Sequence, residues 1–69
     1  MDAIGEKIRN YRLENGYGQK EFAKMLGFSM RALQTWERGE RLPGYDGLMA
    51  LADLMNVSTD WLMGRNSQR

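Results

Sequence analysis

QKEFAKMLGFSMRALQTWERG, residues 19–39, is the stretch on which the fold of this chain turns. Within it Ala23, Gly27, Leu33 and Trp36 have the spacing of two short helices joined by a tight turn. Ala23 is small enough to let the second helix of the pair approach the first. Gly27 can take the positive φ that ends a helix without the Cβ clash that other residues meet there. Leu33 and Trp36, three positions apart, share one side of the later helix and can anchor it to a core. At ~100° per residue, Met30, Arg31, Gln34, Thr35 and Arg38 fan over the opposite side. An apolar inner face backed by such an outer face is what a helix needs to lie in the major groove of DNA.

Upstream, Ile4, Ile8 and Tyr11 recur at helical spacing, with Lys7, Arg9, Asn10 and Glu14 between them, which predicts a helix over 4–15. Asp2 is its expected cap and Gly16 its end. Tyr17 is expected to cross the short loop as a core residue, and Gly18 is a weaker cap for the next helix than Ser or Asp would be. That helix, 19–26, turns Phe22, Ala23 and Leu26 inward and Lys20 and Lys24 outward. Ser29 is expected to cap a third helix over 30–38, which Gly39 closes, with Glu37 near the edge of its buried side. Residues 40–44 form a loop holding Pro43, the single proline. A fourth helix, about 45–55, carries Leu48, Leu51, Ala52 and Met55 on its inner stripe. A last turn capped by Ser58 folds Trp61 and Leu62 back onto the core. The expectation is an all-α, compact five-helix domain over residues 1–64, followed by a polar tail at 65–69.

Composition narrows the chemistry. A 69-residue chain has room for one small domain. With 42% apolar residues it has the content of an ordinary globular protein. It contains neither cysteine nor histidine, which excludes disulfides, thiolate zinc sites, nucleophilic cysteines and histidine general bases at once. No carboxylate pair sits in a pocket-forming context either, so an enzyme, a cofactor and a metal site are not expected. No apolar run approaches the ~18 residues of a membrane span and no signal peptide opens the chain, so a cytoplasmic protein without a membrane partner is expected. Ten basic and nine acidic residues give a net charge of +1, a small total for a nucleic-acid binder. Its distribution is more telling, because eight of the ten cations lie within the first 41 residues, around the helix pair.

Read together, IGEKIRNYR (4–12), GYGQKEFAKMLGFS (16–29), TWERGERLP (35–43) and LADLMNVSTDWLMG (51–64) carry the chain into a known family. Residues 4–62 resemble the Cro/C1-type helix-turn-helix domain of phage and bacterial repressors, the lambda-repressor-like fold of the XRE family. The resemblance implies that helices two and three form the DNA-binding pair. It also implies roles for individual residues. Gln19, at the start of helix two, matches a glutamine that clamps a phosphate. Met30, Arg31, Gln34 and Thr35 match positions that face base edges. Arg38 and Arg41 match the segment that runs along the phosphates. Arg12 and Glu37 match an ion pair that ties helix one to the end of helix three.

Side-chain chemistry sharpens some of these assignments. Arg31 can donate two bonds to guanine O6 and N7, although a long guanidinium also reaches a phosphate. Gln34 has the amide that suits adenine. Met30 can offer a base only apolar contact, for instance to a thymine methyl. Lys20 adds electrostatic surface on the phosphate side, and the Tyr45 hydroxyl can reach a phosphate or lie free on the surface. Gly44, followed by Gly47, predicts a ragged start to helix four.

The function expected is sequence-specific double-stranded DNA binding by a transcriptional regulator, a repressor. One copy reads few base pairs, so a palindromic operator and a weak homodimer are expected. The resemblance assigns the dimer contact to residues 57–63. The rival expectation is a protein-interaction module, an antitoxin or anti-repressor partner, which the low net charge favours. The resemblance fits both a short Cro-like protein and the N-terminal domain of a longer repressor.

Overall fold

The computed structural model describes residues 3–65, and Asp2, the expected first cap, and the tail 66–69 lie outside them. The elements are α1 (Ile4–Glu14), α2 (Gln19–Leu26), α3 (Met30–Glu37), α4 (Tyr45–Met55) and α5 (Thr59–Leu62), with no strand among the described residues. This is the five-helix, all-α arrangement expected from the sequence.

Each boundary has a local cause. Ala3 occupies the cap position of α1 and offers no side-chain bond there. The helix stops at Glu14, one residue short of the expectation, because Asn15 leaves helical geometry and turns its side-chain amide back onto the Tyr11 carbonyl at 2.8 Å. α2 ends in a left-handed Gly27 at φ 84°, and the Phe28 N–H closes onto the Ala23 carbonyl at 3.0 Å. α3 starts from Ser29, whose Oγ accepts from the Ala32 N–H at 3.1 Å. It ends at Glu37, with Arg38 as its cap residue rather than its last turn. Ser58 caps α5 in the same way as Ser29 caps α3, accepting from the Trp61 N–H at 3.0 Å.

The helices close around Ile8, Phe22, Ala23, Leu26, Leu33, Trp36, Leu51, Ala52, Met55 and Leu62. Phe22 lies at the centre, stacked on Tyr17 at 5.8 Å and tilted against Tyr11 at 6.0 Å. The rings of Phe28 and Trp36 pack edge to face with their centroids 5.1 Å apart. Fully burying each large apolar side chain stabilises the fold by ~1.5–3 kcal/mol, so Phe22, Ile8, Leu33, Leu51 and Leu62 dominate it.

Two glycines set how closely the helices approach. A Cβ at Gly5 would stand 2.5 Å from the carbonyl oxygen of Trp36 and 2.7 Å from that of Glu37, so α1 crosses the end of α3 with backbone against backbone. Gly47 was expected to fray the start of α4. Instead α4 begins cleanly at Tyr45, with the Leu48 N–H on the Gly44 carbonyl at 2.8 Å. Gly47 is buried, and a Cβ there would meet the Trp36 ring at 2.9 Å. The missing side chain is the seat of the tryptophan.

α1 also buries two cations. Lys7, which the periodicity sets among polar positions, is only 7% exposed. Its ammonium donates to the Trp61 carbonyl and lies 4.5 Å from the centre of the Trp61 ring. α5 is thereby fastened to α1 by a lysine that the pattern assigns to the surface.

Candidate nucleic-acid interface

α3 is divided along its length. Leu33 and Trp36 are in the core, whereas Met30 and Arg31 are exposed and Gln34 and Thr35 half-buried. Met30, at 43% exposed, heads the outer face as a bare apolar group. Arg31 follows it and is likewise exposed. Thr35 is more committed than its place suggests, since its hydroxyl donates to the Ala32 carbonyl at 2.7 Å. Its oxygen can still accept a bond, but its proton is engaged.

Behind this face runs a chain of polar side chains. Arg12 Nε donates to Glu37 Oε2 at 2.7 Å, and Nη2 donates to Oε1 at 3.1 Å. Arg12 Nη1 donates to the Tyr17 carbonyl at 3.0 Å, pinning the α1–α2 loop to the same guanidinium. The two charged side chains are 10% and 5% exposed, and this two-pronged geometry compensates their desolvation. Gln19 Nε2 then donates to Glu37 Oε1 at 3.3 Å, and Gln34 Nε2 donates to Gln19 Oε1 at 3.2 Å. Four residues from α1, α2 and α3 are thus bonded in series. The sequence supplied each member of the series; that the two glutamines bond one another is visible only in three dimensions.

Gln19 therefore sits half-buried with its amide turned inward, not extended as a free arm. It still opens α2, and Gly18 before it gives no side-chain cap. The first bond of the helix runs from the Phe22 N–H to the Gly18 carbonyl, which leaves the N–H groups of the first turn directed out of the helix end. Lys20 is exposed beside them.

The loop after α3 carries the remaining cations. Arg38 is exposed and paired with Glu40, Nε to Oε2 at 3.2 Å, in a solvent-facing contact of little energetic weight. Gly39 at φ 77° lets the chain reverse, and the Glu40 N–H returns to the Thr35 carbonyl at 3.0 Å. Arg41 is exposed beyond it. Tyr45 stands farther off, 78% exposed on the rim of a groove shared with Ile4, Leu42, Pro43, Leu62 and Met63. Arg31 and Gln34 lie on α3 and Gln19 is bonded to it, whereas Arg38 lines that groove together with Tyr45. Among the described residues no cluster of three or more His, Cys, Asp or Glu could hold a metal, and no helix is long and apolar enough to cross a membrane.

Comparison with known proteins agrees with this geometry. A helix-turn-helix family model matches residues 8–62. The HTH-type transcriptional regulator ImmR of Bacillus subtilis is 39% identical over 93% of the chain, which spans only 50% of that relative's length. YazB, another HTH-type transcriptional regulator of the same organism, is 45% identical over 84% of each protein. The P22 c2 repressor, solved in complex with the synthetic operator 9T, superposes with a TM-score of 0.86 at 33% identity, covering 96% of this chain and 100% of that one.

Proposed function

The chain belongs to the helix-turn-helix family of the Cro/C1 type, and on that premise we propose that it is a sequence-specific double-stranded DNA-binding regulator of transcription, a repressor that lays α3 in the major groove. The observation that carries this reading is the division of α3, with Leu33 and Trp36 fixing the helix from within while Met30 and Arg31 are exposed. The P22 c2 repressor, whose backbone runs parallel almost throughout, was solved on an operator.

In this reading Met30, Arg31, Gln34 and Thr35 face the bases. Arg31 pairs with guanine, Met30 packs on a thymine methyl, and Thr35 offers its methyl or a lone pair. The first turn of α2, with Gln19 and Lys20, meets one phosphate, and Arg38 and Arg41 meet others. Tyr45 adds a phosphate contact only if the DNA backbone extends to the start of α4. Arg12 and Glu37 hold the surface in shape. A regulator of this kind works in the cytoplasm and catalyses nothing.

Affinity requires two copies on a palindromic site, with half-sites about one helical turn, ~34 Å, apart. The dimer contact falls on residues 57–63. Met63 is 51% exposed and shares its groove with Leu42, 77% exposed, an apolar surface suited to a weak contact with a second copy.

Selection from randomised duplex DNA, followed by titration at rising salt, tests the proposal. A motif with two-fold symmetry should emerge, and affinity should fall steeply with salt as phosphate counterions are released. Absence of any enriched motif at low salt would overturn it.

A further inference from the structure

All the sulfur in this chain is thioether: six methionines and no cysteine. No thiol therefore competes with them for an oxidant. Among the described residues Met55 is closed into the core, whereas Met25, Met30, Met49 and Met63 are exposed. Of these four, Met30 alone lies on α3, as its first residue, with the exposed Arg31 next to it. Nothing in the fold leans on its side chain. The start of α3 is set by Ser29, whose Oγ accepts from the Ala32 N–H at 3.1 Å and whose carbonyl accepts from the Leu33 N–H at 3.2 Å. The helix is anchored by Leu33 and Trp36, and Met30 does not belong to the core cluster or to the side chains packed against it. A chemical change at Met30 can thus alter what α3 presents without loosening α3.

We propose that Met30 is an oxidation-sensitive site through which peroxide lowers the affinity of this protein for its operator. The inference rests on the reading of α3 as the groove helix and deepens it with a regulation. A lone pair of the Met30 sulfur attacks one oxygen of hydrogen peroxide, and the O–O bond breaks. Sulfur keeps that oxygen as a sulfoxide, and the other leaves as water once it has taken the proton. Sulfur loses two electrons and peroxide gains them. The side chain turns from apolar to polar. In the free protein water satisfies the new oxygen. Against a thymine methyl it would lose that water and gain no donor, and an unmet acceptor is penalised. Exposure also gives the device an order of events: oxidant reaches Met30 in unbound copies, while the groove covers it in bound ones. Methionine sulfoxide reductases reverse the step, with two thiols becoming a disulfide as the oxygen leaves as water.

The test uses the motif enriched by duplex selection and a peroxide dose at which peptide mass spectrometry finds the exposed methionines oxidised and Met55 intact. Each protein's affinity is compared with that of its own untreated form. The wild type should weaken about tenfold, the scale of one unmet buried acceptor, keep its helical circular dichroism, and recover after treatment with reductases for both sulfoxide epimers. The triple variant Met25→Leu, Met49→Leu, Met63→Leu should weaken as much. Met30→Leu, whatever its starting affinity, should bind equally before and after the dose. Should the triple variant lose its helical signal, the wild type and Met30→Leu decide between them. Saturating operator should slow the oxidation of Met30. A wild type that carries the Met30 sulfoxide and binds undiminished would overturn the inference and leave DNA binding standing. Met30→Leu weakened as much as the wild type would do the same, as would a Met30 that stays reduced while the equally exposed Met25 is oxidised. A wild type that enriches no motif would remove the DNA reading and this inference together.

Discussion

α1 buries two cations, and their surroundings differ. Arg12 meets a carboxylate with two prongs, a backbone carbonyl with a third, and through Glu37 reaches the glutamines behind α3. Lys7, less than two turns away, has no carboxylate within salt-bridge reach among the described residues. It has a carbonyl and an aromatic face, both supplied by Trp61. The difference lies in what each end of α1 must hold. A planar guanidinium fixes several partners in defined directions, so it suits a place where orientation is passed on. An ammonium on a flexible stem fills space and satisfies a carbonyl, which suffices to pin the short α5. One end of the helix is built for geometry, the other for adhesion.

Removing the cation at the first end should have the larger effect. Arg12→Met leaves Glu37 in a nearly dry site without its partner, and the expected cost is about 3 kcal/mol, read as a lowered urea midpoint. Replacing both residues by apolar ones should recover much of that loss, because the penalty belongs to the widowed charge. If the double variant is as unstable as Arg12→Met, the pair holds the fold by some other means. Gly5→Ala tests the crossing that brings the two helices together. Its methyl would press on two backbone carbonyls, and a loss of ~1–3 kcal/mol in thermal or chemical unfolding is expected. Wild-type stability in that variant would show that α1 can shift without harm. Lys7→Met should matter least. Methionine keeps the stem and the contact with the ring, so the change should stay within about 1 kcal/mol. A cost equal to that of Arg12→Met would abolish the contrast between the two ends.

Much of the architecture is legible in the amino-acid order. The turn glycines, the serine caps at Ser29 and Ser58, and the apolar stripes give five helices with nearly the observed limits, because each depends on neighbours in sequence. Gly47 shows where that reading stops. As a helix residue it signals weakness, and only the packed Trp36 ring explains why nothing larger fits. Lys7 is misplaced for a related reason: periodicity counts it as polar, while its burial depends on a tryptophan 54 positions away. The site divides similarly. Met30, Arg31 and Gln34 fall on the outer face of α3 by helical geometry alone.

By itself, then, the sequence determines the helices, the turn that joins α2 to α3, and the face of α3 left for a partner. These follow from φ preferences, caps and periods of a few residues. Tertiary structure decides what those side chains are free to do. It brings Arg12, Gln19, Gln34 and Glu37 from three helices into one chain of hydrogen bonds and engages the Gln34 amine inside the fold. A carboxylate can only accept, and that asymmetry gains a direction in space once the fold has aligned its neighbours.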